Sequence, residues 1–150
     1  MRAINVPVND LIPYENNPRI NDAEAVDAVA ASIKSFGFKV PIIIDRDMVI
    51  VAGHTRHKAA IKLGMDEVPC IMADDLTDEQ IRKFRLADNK TAEISKWDFE
   101  ELQKEISEIQ SIDMADFGFM IEDISKFKKQ VEQEKKTNGV ICPRCGRMVI

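Results

Sequence analysis

Gly53, Thr55 and Arg56 stand where a short apolar run, Met48 to Ala52, gives way to a helix-forming stretch that stops at Gly64. A helix N-terminus presents unpaired backbone N–H groups and a partial positive charge, both of which draw anions. Gly53 lets the backbone approach a ligand closely. Thr55 adds a hydroxyl, and Arg56 is a two-pronged donor for phosphate oxygens. Together they have the chemistry of a phosphate cradle. It is not a Walker A loop, because the Gly-x-x-x-x-Gly-Lys-Ser/Thr spacing is absent. The competing reading is an ordinary strand-turn-helix with Arg56 solvated on the first turn. Local chemistry alone does not separate the two.

Other residue types invite chemistry of their own. His54 and His57 invite a catalytic reading because an imidazole side chain is able to titrate near neutrality, yet no third ligand or nucleophile is near them in sequence, so surface positions are expected. Cys142 and Cys145, in Cys142-Pro-Arg-Cys145-Gly146, have the spacing with which two thiolates reach one tetrahedral Zn²⁺. Structural zinc sites are closed by four ligands, and no second knuckle exists. Two chains completing one Cys₄ site across a homodimer is one reading, and an unmetallated frayed end is the other. Cys70 sits in an apolar stretch and is expected to be a small buried residue.

The elements that must position these groups follow from the apolar pattern. Residues 3–8 alternate weakly and predict a first strand. Asn16-Asn17-Pro18 is turn chemistry that sets Arg19 in one direction. Asp22 is suited to cap a helix carrying Val26, Val29, Ala30, Ile33 and Phe36 on its apolar face, with Gly37 as its left-handed stop. Ile42–Asp45 and Met48–Ala52 flank Arg46-Asp47 and predict a hairpin. The helix Thr55–Leu63 follows, burying Ala59, Ala60 and Leu63, and then a strand over Val68–Ala73. Thr77 to Gln80 has capping-box spacing, which predicts a helix from Asp78 to about Asp88. Asp98 caps another, striped by Leu102, Ile106 and Ile109. A last helix from Glu122 carries Ile124, Phe127 and Val131. Trp97, Phe117, Phe119, Phe36, Phe84 and Phe127 are assigned to the core.

Composition bounds the class. At 150 residues, 45% hydrophobic and 31% charged, the chain is long enough for a real core and is not compositionally disordered. Its formal net charge is −5, with 8 Lys and Arg against 11 Asp and Glu through Asp75. No basic stripe is visible, so tight autonomous binding to duplex DNA is not expected. The apolar runs are too short to span a bilayer, no signal arrangement opens the chain, and a cytoplasmic location without membrane association is the default.

Three separated motifs now stand in order: Leu11-Ile-Pro-Tyr-Glu-Asn-Asn-Pro-Arg19, Ser32-Ile-Lys-Ser-Phe-Gly-Phe-Lys-Val-Pro-Ile42, and Ala52-Gly-His-Thr-Arg-His-Lys-Ala-Ala60 with Leu63-Gly64 and Val68-Pro69. The series resembles the ParB/sulfiredoxin-like domain, also known as the ParB-like nuclease domain. Leu86-Ala-Asp-Asn-Lys-Thr-Ala-Glu93 with Trp97-Asp98 resembles its phage and mobile-element type. The resemblance covers residues 3–125. It implies an α/β (α+β) fold: a small mixed-sheet domain over residues 1–95, a helical extension over 96–136, and a tail over 137–150.

The resemblance also implies roles. Arg19 would stand at the phosphate site with Gly53, His54, Thr55 and Arg56. Asp88 and Asn89 fall where ParB proteins carry a Glu-Asn pair beside a nucleotide's divalent cation, and carboxylate plus amide oxygen suits Mg²⁺. The Arg that follows in ParB is replaced by Ala92, and Lys90 is the candidate substitute. A simple helix end at Asp88-Asn89 is the other reading. Sulfiredoxins carry a catalytic Cys directly after the Gly, where this chain has His54, so sulfinic-acid reduction is not expected.

The leading expectation is a nucleoside-triphosphate-binding domain with Mg²⁺, either hydrolysing slowly (CTPase or ATPase) or not at all, in DNA metabolism of a phage or mobile element. ParB's helix-turn-helix reader is not evident, so DNA contact is expected to be weak or indirect, through a methyltransferase or terminase partner. The alternatives are a metal-dependent nuclease using Asp45, Asp47 and Asp88, and a nonenzymatic dimerising adaptor.

Overall fold

The computed structural model describes residues 2–20, 23–109, 111, 113–119, 140–141 and 148–149. The chain divides into one unit of Met1–Lys96 with Asp116–Gly118, and another of Trp97–Ala115 with Phe119–Ile150.

The first unit is a mixed α/β structure. Strands β1 (Arg2–Pro7), β2 (Ile42–Ile44), β3 (Ile50–Ala52) and β4 (Glu67–Met72) form a sheet in the order β1-β4-β2-β3. β1 runs antiparallel to β4, β4 parallel to β2, and β2 antiparallel to β3. The predicted hairpin is therefore present, with a register shift between Ile43 and Ile44. Its turn is held by Asp45, whose Oδ1 accepts from the backbone N–H of Asp47 and of Val49, the local bonding that suits Asp to turns. β3 lies at the sheet edge, but Ile12 bonds to Met48 and Ile50 there, so the edge is covered.

Burial follows the apolar runs. Ile42, Ile44, Ile50, Val51, Val68 and Cys70 are the largest fully buried side chains. Cys70 is the small buried residue expected, and burial pushes its thiol up to about 11.

Helix α1 (Ala23–Phe36) ends where Gly37, at φ +77°, donates to Ile33. Only Ala30 on its apolar face is fully buried, and Phe36 is 45% exposed. That departure has a reason: Val29, Ile33 and Phe36 face a cavity. Helix α2 (His54–Lys62) buries Ala59 and Ala60 as expected, but Leu63 stays 37% exposed and His57 takes the buried place.

Helix α3 (Asp78–Ile94) has the reciprocal capping box at Thr77 and Gln80. It continues past Asp88-Asn89, which therefore do not end a helix. Nothing in that stretch breaks a helix: Lys90, Thr91, Ala92 and Glu93 follow with no Gly or Pro.

In the second unit, α4 (Phe99–Glu108) is capped by Asp98, which accepts from Glu100 and Glu101. Leu102 and Ile106 are half-buried, while Ile109 lies just past the helix and is exposed. Trp97 is 61% exposed, with its ring edge against Phe119, so it is not the core residue expected. Two short strands, β5 (Val140–Ile141) and β6 (Met148–Val149), pair antiparallel. The Asp22 cap, the helix from Glu122 and the pair Cys142 and Cys145 lie outside the described residues.

Candidate functional site

β3 delivers Val51 and Ala52 to the wall of a cavity of about 590 Å³. Gly53 follows at φ +110° and is the N-cap of α2. A side chain there would be strained by that backbone angle. Its Cβ would also lie 3.1 Å from Nε and Nη2 of Arg56. Glycine thus lets the Arg56 side chain fold back over the turn.

The cavity gathers residues distant in sequence. Arg19 comes from the loop after the Asn-Pro turn, Gly53, His54, Thr55 and Arg56 from the start of α2, and Asp88 and Asn89 from α3. The same lining includes apolar Val29, Ile33 and Phe36 of α1 with Phe38 and Val40, alongside Ser32 and Lys39. The cationic and backbone groups suit an anion, and the apolar residues suit a flat or apolar group.

Arg19 and Asn89, 70 residues apart, meet directly: Nη1 of Arg19 donates to Oδ1 of Asn89 over 3.1 Å. Asn89 also donates from Nδ2 to the Arg85 carbonyl at 2.8 Å, which orients its amide. Arg56 is not solvated. Its Nη1 donates to the carbonyls of Val40 at 2.9 Å and Pro41 at 3.0 Å. Burial pushes the guanidinium below its ordinary range, and the Asp88 carboxylate partly offsets this. The ordinary strand-turn-helix with a solvated Arg is thereby excluded.

Both histidines depart from the surface positions expected. His57 is buried and its Nε2 lies 3.0 Å from the Val8 carbonyl, where it donates and ties α2 to the segment after β1. His54 is half-buried and lines the cavity. The backbone N–H of Tyr14 donates to its Nε2 over 3.2 Å. Burial, then the charge of Arg85, then His57 and Lys58, lower the His54 pKa from the ordinary 6.5 to about 4. Lys90 is a second correction. It stands about 100° further round the helix than Asn89, is exposed, and pairs with Glu93 at 3.1 Å instead of reaching the cavity.

Arg85 was not anticipated. It is 4% exposed, with its guanidinium carbon 3.6 Å from the centroid of the Tyr14 ring. Nη2 donates to the Ile50 carbonyl at 3.4 Å, while Nε is buried with no partner among the described residues. An unpaired buried N–H costs about 1–3 kcal/mol, and a desolvated cation over an aromatic face returns about 2 kcal/mol. The sequence signal was its spacing: Ile81, Arg85 and Asn89 recur every four residues on one face of α3.

For a divalent cation, Asp88 offers a carboxylate at the cavity wall. The Asn89 oxygen already accepts from a cationic Arg19, which leaves it one further lone pair for a ligand. Asp45, Asp47 and Asp88 do not form a metal cluster, since no group of three or more His, Cys, Asp or Glu suited to a metal occurs among the described residues. The reason is local: the Asp45 carboxylate is spent on its own turn.

The ParB N-terminal domain profile matches residues 2–90. The ParB-like nuclease domain-containing protein YnaK of Escherichia coli (strain K12) is 42% identical over 80 residues, covering 53% of this chain and 92% of that protein. The probable chromosome-partitioning protein ParB of Campylobacter jejuni is 33% identical over 88 residues, or 56% of this chain, which spans 31% of that protein's length. Among solved structures, the C-terminally truncated chromosome-partitioning protein ParB from Caulobacter crescentus, complexed with CTP-γ-S, superposes with a TM-score of 0.59 at 22% identity, over 83% of this chain and 69% of that one.

Proposed function

We propose, from the premise that this chain belongs to the ParB N-terminal domain family, that its cavity binds a nucleoside triphosphate and that the bound state biases conformation or assembly in DNA metabolism. One observation carries the reading: Arg19, the turn Gly53 to Arg56, and Asp88 with Asn89, distant in sequence, line one cavity together with apolar residues of α1. The start of α2 and the two guanidinium groups would take the phosphates, and the α1 side would take the nucleoside. The ParB of shared fold was complexed with CTP-γ-S, which makes a cytidine nucleotide the first candidate.

Mg²⁺ fits Asp88 together with phosphate oxygens, because Mg²⁺ uses few protein carboxylates and keeps substrate and water oxygens. When bound it would neutralise phosphate charge. Asn89 would chiefly aim Arg19, whose guanidinium donates to its side-chain oxygen. The formal net charge of −5 favours weak or partner-mediated contact with DNA, through a methyltransferase or terminase component, over autonomous binding. The nuclease reading is weaker, since its three carboxylates are not gathered.

The test is a titration with CTP, ATP, GTP and UTP, each with and without Mg²⁺, followed by heat release. Saturable binding of one nucleotide, strengthened by Mg²⁺, is expected. No binding of any of the four would overturn the proposal.

A further inference from the structure

The backbone N–H of Tyr14 can only donate, so the Nε2 it meets at 3.2 Å must be the unprotonated nitrogen of His54. The ring proton of the neutral imidazole then resides on Nδ1. Tyr14 is itself held: its ring lies under the Arg85 guanidinium, which reaches the Ile50 carbonyl of β3 from α3. We propose that His54 serves the cavity as a neutral hydrogen-bond donor through Nδ1, and that Arg85 is the positioning residue that enforces this tautomer through Tyr14. The ligand atom addressed is an oxygen acceptor, a phosphoryl oxygen on the nucleotide reading, on which the identity of the ligand rests.

Three features support the arrangement. His54 is the first residue of α2, where the helix end favours electron-rich ligand atoms and disfavours an imidazolium. The charges that lower its pKa come from Arg85 of α3 and from His57 and Lys58 of α2, while Arg19, Arg56 and the Asp88 carboxylate line the same cavity. Finally, Nε2 is occupied, so His54 is no proton acceptor for hydrolysis at that nitrogen. A neutral donor adds recognition without a charge that titrates near neutrality.

The experiment is a set of long-range ¹H–¹⁵N spectra of the full, unliganded chain labelled at the histidine nitrogens, the His54 signals being identified by their loss in His54→Gln. Protonated Nδ1 with bare Nε2 between about pH 5.5 and 8 is expected. A protonated Nε2, or conversion to imidazolium in that range, overturns the proposal. In Arg85→Met the His54 titration should rise, because the Arg85 charge is second only to burial in lowering it, and Tyr14→Leu, which removes only the ring under Arg85, gives a second variant if the first does not fold. An unmoved titration in a folded variant overturns the role of Arg85.

The ligand arm uses CTP. Asn places an amide N–H₂ near the position of Nδ1, whereas Gln places its oxygen near that of Nε2. His54→Gln should therefore weaken binding at least about fivefold more than His54→Asn, and the reverse order overturns the donor role. Should the wild type bind no CTP, the nucleotide reading fails, while the spectra still decide the tautomer.

Discussion

Arg19 donates to Asn89 across 3.1 Å although 70 residues separate them. The contact joins the Asn-Pro turn to α3 at the cavity wall, and Asn89 is steadied in turn by the Arg85 carbonyl. Its worth to the fold is small, because the pair is exposed. Its worth to a bound anion is larger, since it holds a flexible guanidinium in place before the ligand arrives. In a double-mutant cycle of Arg19→Ala and Asn89→Ala, the two effects on CTP affinity should be non-additive by about 0.5–1.5 kcal/mol. Strict additivity would show that Asn89 does not aim Arg19.

Arg56→Ala should weaken nucleotide binding by about 1.5–3 kcal/mol, the scale of a hydrogen bond to a charged group. The variant also releases the Val40 and Pro41 carbonyls, so its melting temperature must be read alongside. Unchanged affinity in a folded variant would remove the cradle.

Gly53→Ala combines a φ of +110° with a Cβ 3.1 Å from Arg56. Strained positions of this kind cost about 1–3 kcal/mol. Urea denaturation should show a loss of that size. A neutral effect would mean that the turn relaxes without cost.

Acid should destabilise the fold through His54. Its pKa is about 4 when folded against an ordinary 6.5, so the unfolded chain takes up a proton first as pH falls. The contribution is constant above about pH 6.5 and is lost between about 6.5 and 4. The stability difference between wild type and His54→Gln should change across that window and be flat above it. A difference that is flat throughout would show that His54 titrates normally.

The tail carries a separate expectation. If Cys142 and Cys145 bind zinc, each chain supplies half of a closed site, and metal content should approach one zinc per two chains. Chelation, or serine at both positions, should then shift dimer to monomer while leaving CTP binding nearly intact. Protein purified with no zinc would refute the shared site.

The sequence by itself determined the elements and the local chemistry. Thr77 and Gln80 announced a helix start because a capping box is made within four residues, and Gly53 announced a close approach because only glycine tolerates it. The apolar runs at Ile42 and Met48 predicted a hairpin for the same reason, since strand periodicity is local. The family motifs also brought Arg19, Gly53 to Arg56, and Asp88 with Asn89 to notice as one set. Tertiary structure decided what each side chain does there. Arg56 turned out to grip two carbonyls, His57 to fill the core, and Lys90 to face away, because burial and partners depend on residues far along the chain. Arg85 was the hardest to foresee. A charged residue on an apolar helix face reads as an exception until the Tyr14 ring and the Ile50 carbonyl arrive from elsewhere to receive it, and no local rule encodes that meeting.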